Sequence, residues 1–123
     1  MLPKPNSAAQ LEMHFAKGPL FENLIILEVM KGFLNNGSLP SLFFWRDNTG
    51  NEVDLLVEHA VKLYPLEIKA GATLQEGYFK GLDFFNKISG SDPQQSYLIY
   101  GGAENQSRSR GNVRSWDNLP DFQ

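Results

Sequence analysis

Several features common in other protein classes are missing from this chain of 123 residues. It contains no cysteine, which excludes disulfides and thiolate metal sites. No apolar run reaches the length of a membrane span, and the opening MLPKPNSAAQ lacks the apolar segment of a signal peptide. We therefore expect a cytoplasmic protein with no membrane association.

An excess of basic residues is also missing. Lys and Arg number 11 against 14 Asp and Glu, and the formal net charge is -3. This balance excludes a surface that is basic throughout. Any contact with nucleic acid therefore has to use a local basic patch.

The sequence lacks two motifs that carry well-known chemistry. The serine-centred pattern G-x-S-x-G does not occur, nor does the P-loop pattern G-x-x-x-x-G-K-[ST], so we do not expect this chain itself to bind ATP in the P-loop manner. The histidines, His14 and His59, have no partner at metal-ligand spacing, and we expect no zinc site.

What the chain does have is enough apolar material for one compact core. Hydrophobic residues make up 41% and aromatic residues 12% of the sequence, and the length suits a single domain. Residues 1–17 hold two prolines and few apolar anchors. We interpret them as an N-terminal tail or linker remnant, followed by one domain over residues 18–123.

Hydrophobic periodicity and turn residues predict the element order α-β-β-β-α-β. The first helix is predicted to open at Gly18-Pro19 and to end near Leu34. The predicted strands cover 43–46, 52–57, 63–69 and 97–100, and the second helix covers 74–88. Residues 104–112 are polar and are predicted to form a mobile loop, followed by a last short strand at 113–116.

This order predicts an α/β fold, or α+β, with a mixed sheet flanked by helices. The first three strands form an antiparallel meander. The strand, helix and strand from Leu63 to Tyr100 are typical of a right-handed crossover between parallel strands. Pro65 removes a ladder donor from the third strand and predicts an edge position or a bulge there.

The most informative charges lie in the hairpin of the second and third strands. If its turn is centred between Ala60 and Val61, Asp54 pairs with Glu67 across the hairpin. Opposed like charges destabilise a sheet unless something compensates them, and a hard divalent cation does so. Lys69 shares a strand face with Glu67, because strand side chains alternate. Two carboxylates, a metal and an ammonium are the groups that phosphodiester hydrolysis needs.

Each charge also has a purely structural interpretation. The hairpin face is then an exposed polar surface on which Lys69 pairs with Glu52, which the same register places opposite it. Glu22 lies beside core-type residues of the first helix, where a carboxylate costs free energy unless it is paired, but a first-turn Glu also suits the helix dipole. Arg46 either forms a cross-strand ion pair with Glu52 or faces a phosphate.

The order of a helical Glu, a strand Asp and Glu-x-Lys on the next strand, followed by a helix and a strand, resembles the PD-(D/E)XK nuclease superfamily. Here these positions are Glu22, Asp54, Glu67 and Lys69. More closely, the chain is similar to a domain of unknown function that follows an AAA-type ATPase domain in many bacterial and archaeal proteins. The similar segments are GPLFENLIILEVMK, LFFWRDNTGNEVDLLVE and LYPLEIKAG. The resemblance covers about residues 17–116.

This resemblance implies a restriction-endonuclease-like core that hydrolyses DNA. Mg²⁺ or Mn²⁺ is then bound by Asp54, Glu67 and the backbone carbonyl of Ile68; Glu22 assists, and Lys69 positions or activates the water. The implied partner is an AAA-type ATPase domain upstream in the same chain. One competing interpretation is an inactive nuclease-fold module that binds DNA or docks on the ATPase. Another is a plain structural domain whose site charges are surface ion pairs.

Overall fold

The computed structural model describes the backbone of residues 7–122 and the side chains of residues 18–122. The helices are α1 (Ser7–Asn35) and α2 (Lys80–Ser89). The strands are β1 (Leu42–Arg46), β2 (Glu52–His59), β3 (Lys62–Lys69), β4 (Tyr97–Tyr100), β5 (Gln106–Arg108) and β6 (Gly111–Ser115). Short 3-10 turns at Glu76–Phe79 and Pro93–Gln95 precede α2 and β4. Neither helix of this described part is long and apolar enough to cross a membrane.

The strands join one mixed six-stranded sheet in the order β1-β2-β3-β4-β6-β5. As predicted, β1, β2 and β3 form an antiparallel meander, and β3 and β4 are parallel neighbours. β6 then pairs parallel with β4 and antiparallel with β5. The fold is therefore mixed α/β. β6 overlaps the short strand predicted at 113–116, whereas β5 was not predicted.

The prediction of a mobile loop at 104–112 was wrong. This segment supplies β5 and the start of β6, and Ser107 pairs with Asn112 in the hairpin. Arg110 connects the hairpin to the 3-10 turn and to α2 by ion pairs with Glu76 and Asp83. Its guanidinium also lies over the ring of Phe79. The polar composition hid this arrangement because the acidic partners lie 34 and 27 residues away in the chain.

The first helix is longer than predicted. It begins at Ser7, so Gly18 and Pro19 lie inside it rather than at its start. A proline removes a helical hydrogen bond and commonly kinks or breaks a helix, which is why the pattern favoured a start at this point. Part of the predicted tail, residues 7–17, is therefore helical in its backbone. Residues 1–6 of that tail lie outside the described residues.

The helices cover opposite faces of the sheet. On one face, Ile25, Val29 and Phe33 of α1 pack on buried residues of the central strands. On the other face, Phe79 and Leu82 pack on Leu98 of β4 and Val113 of β6. Phe85 of α2 packs on Val53 and Leu56 of β2. Alternation along the strands separates these layers, because neighbouring side chains of a strand point to opposite faces.

Pro65 does not lie in an edge strand, because β3 is central between β2 and β4. The prediction was therefore wrong for the strand as a whole. At the residue itself, however, Pro65 pairs with Leu56 of β2, while the ladder with β4 begins only at Leu66 and Tyr97. Pro65 thus has a paired strand neighbour on one side only. A strand tolerates the missing N–H of a proline at such a position.

Candidate active site at the β2–β3 hairpin

The register of the β2–β3 hairpin is the one predicted from the sequence. Its ladder runs from His59 opposite Lys62 to Leu55 opposite Leu66, around a turn of Ala60 and Val61. The next opposed positions in this register are Asp54 and Glu67. The hairpin therefore brings together the two carboxylates that lie 13 residues apart in the chain.

A β-bulge interrupts the other side of β2 at this point. Between Val53 and Leu56, the residues Asp54 and Leu55 together oppose a single residue of β1. The bulge interrupts the regular alternation of side chains between the two faces. As a result, Val53 and Leu56 both pack with Phe85 of α2, although they lie three positions apart, whereas Leu55 packs on the α1 side. Bulges commonly re-aim side chains next to active sites. The regular pleat that the sequence pattern suggests does not hold at Asp54.

Backbone N–H groups hold both carboxylates in place. The N–H of Ile68 donates to Asp54 Oδ2 at 2.8 Å, and the N–H of Asp54 donates to Glu67 Oε1 at 3.3 Å. The predicted role of Ile68 concerned its carbonyl, and that role stays a prediction, since the observed contact uses the N–H.

Burial raises the pKa of both acids. Glu67 is only 6% exposed. Its pKa is raised to about 8, first by burial and then by the charge of the nearby Asp54, while Lys69 opposes the rise. The pKa of Asp54 is also raised, chiefly by burial, against the lowering effects of the Ile68 N–H and of Lys69. Burial therefore favours the protonated form of each acid, and the two titrate together rather than independently.

Lys69 contacts this pair from the same strand. Its Nζ lies 3.6 Å from Glu67 Oε2, and its side chain is 37% exposed. This contact replaces the structural alternative in which Lys69 pairs with Glu52. The site therefore combines two acids with an ammonium group on a partly exposed side chain.

Gly81 of α2 lies against the Glu67 carboxylate, and the sequence patterns did not single it out. A Cβ at this residue would lie 2.4 Å from the backbone carbonyl oxygen of Glu52 and 3.2 Å from Glu67 Oε2. Only glycine lets the first turn of α2 approach the acid so closely. The available signal was a glycine inside a predicted helix, where it costs stability without a packing reason.

Glu22 faces the site from α1 without joining the pair. It is half-buried, and its pKa is raised first by burial and then by the charges of Asp54 and Glu52, while Lys69 opposes the rise. Within the described residues, no group of three or more His, Asp or Glu side chains converges closely enough to hold a metal ion. The structure therefore brings Asp54 and Glu67 into contact and places Glu22 within electrostatic range only.

Arg46 adopts the structural alternative. It pairs with Glu52 across the β1–β2 hairpin, with its Nη2 3.3 Å from Glu52 Oε2. Both side chains are at least half-exposed, so solvent screens the pair and it contributes little to stability.

The donor set at Asp54 and Glu67 fits a hard divalent cation. Mg²⁺ binds carboxylate oxygens, commonly uses only one or two carboxylates, and completes its shell with waters and substrate phosphates. A cation would also compensate the like charges of the two acids when both are ionised. Asp54 and Glu67 are therefore the residues that would hold Mg²⁺ or Mn²⁺.

A separate cavity of about 590 Å³ lies between α1 and the C-terminal segment 116–122. Its lining includes Val29, Phe33 and Phe122 and contains none of the four predicted catalytic residues. It lies beside an aromatic cluster, in which Phe122 stacks on Phe33 at 5.9 Å between ring centroids. The candidate site is consequently identified by its chemistry rather than by concavity.

The comparison with protein families gives a match over most of the chain. Residues 17–119 match the family described as Domain of unknown function (DUF4143). The chain belongs to this family. No curated protein and no solved structure matches the chain. The family match covers α1 from residue 17, the entire sheet and all the predicted site residues, and it carries no assigned activity.

Proposed function

We propose that this chain is a metal-dependent nuclease domain of the PD-(D/E)XK type that hydrolyses DNA phosphodiester bonds. The observation that carries the proposal is the contact between Asp54 and Glu67, with Glu67 almost fully buried and its pKa raised to about 8. A buried acidic pair is unfavourable for folding and is a recognised mark of functional sites. Lys69 beside it completes the set of groups that this chemistry uses.

The chain's own residues divide the work in this proposal. Asp54 and Glu67 hold the cation, which when bound polarises a phosphoryl oxygen and lowers the pKa of its water. Lys69 is partly exposed and donates hydrogen bonds to the attacking water or to the scissile phosphate, where it offsets developing negative charge. Glu22 adds negative potential that draws the cation toward the site.

Thermal unfolding with and without Mn²⁺ tests whether the acidic pair binds the cation. At a concentration ten times Kd, a cation bound only by the native state adds about 1.4 kcal/mol, or roughly 5 °C in Tm for a domain of this size. Asp54→Asn and Glu67→Gln should abolish that rise. Glu58→Gln, an exposed carboxylate on the same strand β2, should keep it.

Plasmid nicking by the same variants tests the reaction. Wild-type chain with Mg²⁺ or Mn²⁺ should nick plasmid or branched DNA, and Lys69→Ala should keep the metal-dependent rise in Tm but lose cleavage. An equal metal-dependent rise in Tm in wild type and in both acid variants would show that the cation binds elsewhere. No rise and no nicking at millimolar Mn²⁺ would leave no support for the nuclease.

A non-catalytic module that docks on an upstream AAA-type ATPase domain is the second candidate. Two observations favour it: the net charge of -3 and the outer face of α1. That face exposes several leucines in the described part of the helix: Leu20, Leu24, Leu27 and Leu34. Exposed apolar stripes of this kind mark interaction surfaces. Failure of both metal binding and cleavage would favour this function.

A further inference from the structure

Lys69 has a second neighbour besides Glu67. Its Nζ lies 5.7 Å from the centroid of the Tyr78 ring. Tyr78 belongs to the 3-10 turn Glu76–Phe79 and packs, half-buried, against the core cluster that contains Phe79 and Leu82. The ring is thus fixed by the core, whereas the lysine side chain is long and flexible.

The position of the Tyr78 ring depends on Gly71. A Cβ at Gly71 would lie 2.6 Å from the Tyr78 hydroxyl oxygen but 3.8 Å from Cζ, so only the hydroxyl conflicts with a larger residue. The backbone of Gly71 cannot easily move away, because its carbonyl accepts a hydrogen bond from the N–H of Gly101 at 3.0 Å. Gly71 therefore admits the tyrosine beside the strand end that carries Lys69.

We infer that Tyr78 is a positioning residue for Lys69, and that Gly71 is the residue that admits it. The ring face attracts the ammonium and restricts its rotamers. The attraction between the ring and the ammonium does not depend on the charge of Glu67. The catalytic benefit of this positioning rests on the proposed function. The contact itself can be measured without any reaction.

NMR of the lysine Cε–Hε groups provides that measurement. An aromatic ring face shifts the signals of the group above it upfield, and Lys69→Ala identifies the Lys69 signal by its disappearance. Tyr78→Phe should keep the upfield shift, and Tyr78→Leu should remove it. Phe84→Leu, which alters another half-buried aromatic residue, should leave the signal unchanged.

A second pair of variants tests whether Gly71 admits the Tyr78 ring. Gly71→Ala should displace the ring and remove the Lys69 shift. Gly71→Ala combined with Tyr78→Phe should restore it, because the remaining Cβ-to-Cζ distance of 3.8 Å is an ordinary contact. Failure of the double variant to restore the shift would overturn the role of Gly71. These variants also decide the question if Tyr78→Leu does not fold.

Cleavage assays connect the contact to the reaction. Loss of the ring should lower cleavage about two- to five-fold, the range expected for an exposed cation–π contact, while the metal-dependent rise in Tm stays unchanged. An unaltered Lys69 signal in folded Tyr78→Leu would refute the inference whether or not DNA is cleaved. A wild type that shows the ring shift but no cleavage would instead refute the nuclease function alone.

Discussion

The two ends of the β2–β3 hairpin are unfavourable for different physical reasons. At one end, Asp54 and Glu67 oppose each other, and burial makes their ionisation costly. At the other end, Ala60 and Val61 form the turn with positive φ angles of 53° and 67°. A β-branched residue rarely adopts such an angle, and Val61 is also 98% exposed. One end is electrostatically unfavourable, and the other is conformationally unfavourable.

The ladder between the two ends explains why both are tolerated. Leu55, Val57 and Leu66 are fully buried in the core beneath α1. A slip of one residue would turn these side chains to the opposite face, so packing determines the register. Because the register is determined by the core, the turn need not be ideal and the two acids need not attract each other. The site is therefore maintained by apolar packing.

The largest expected effect is a loss of stability of the metal-free protein as the pH rises. Glu67 has a folded pKa of about 8 against an ordinary value of 4.5, so between these values the native state binds more protons than the unfolded chain. The free energy of unfolding should therefore fall as the pH rises from about 4.5 to about 8 and then level off. Glu67→Gln should remove this fall and exceed wild type by roughly 2 to 4 kcal/mol at pH 9.

Urea unfolding at pH 5, 7 and 9 measures this difference. Glu58→Gln is the control, because it removes an exposed carboxylate and should follow the wild-type profile. Equal profiles for wild type and Glu67→Gln would mean that Glu67 ionises normally, and the contrast between the two ends of the hairpin would then disappear.

The second expected effect concerns the close approach of α2 to the acidic end. Helix propensity alone predicts that Gly81→Ala stabilises α2 by about 1 kcal/mol. The new Cβ, however, would lie 2.4 Å from the Glu52 carbonyl oxygen. Because that oxygen belongs to the strand backbone, the clash should dominate and destabilise the fold by roughly 1 to 3 kcal/mol.

Gly32→Ala is the matched control for this substitution. Gly32 lies inside α1, and a Cβ there would meet nothing within 4 Å. This variant should gain about 0.5 to 1 kcal/mol. If Gly81→Ala were as stable as Gly32→Ala in urea unfolding, α2 would not be held against Glu67.

The antiparallel meander of the first three strands and the register of the acidic pair could be predicted because both depend on local patterns. Alternating apolar residues and a two-residue turn are enough to place Asp54 opposite Glu67. The bulge at Asp54 could not be predicted, since it depends on how β1 packs against β2. The role of Gly81 depends likewise on the contact of α2 with a distant strand.

The helices show the same limit. In α1, exposed leucines such as Leu24 and Leu27 lie among buried residues such as Ile25, so apolar character does not separate the inner face from the outer one. Gly18 and Pro19 concealed the continuation of this helix back to Ser7, because a proline commonly breaks a helix. Composition likewise concealed the β5–β6 hairpin, whose ion pairs join residues far apart in the chain.

The smallest expected effect is a gain in stability at the turn. Asn-Gly suits a two-residue turn with positive φ at both positions, so Ala60→Asn combined with Val61→Gly should stabilise the fold by about 1 kcal/mol, or roughly 4 °C in Tm. Val61→Thr keeps the β-branch while reducing apolar exposure, and it should give no comparable gain. The metal-dependent rise in Tm should be the same in the Asn-Gly variant and in wild type, because the core holds the register. A variant with a more stable turn but an altered metal response would show that the turn, and not the packing of Leu55, Val57 and Leu66, aligns Asp54 with Glu67.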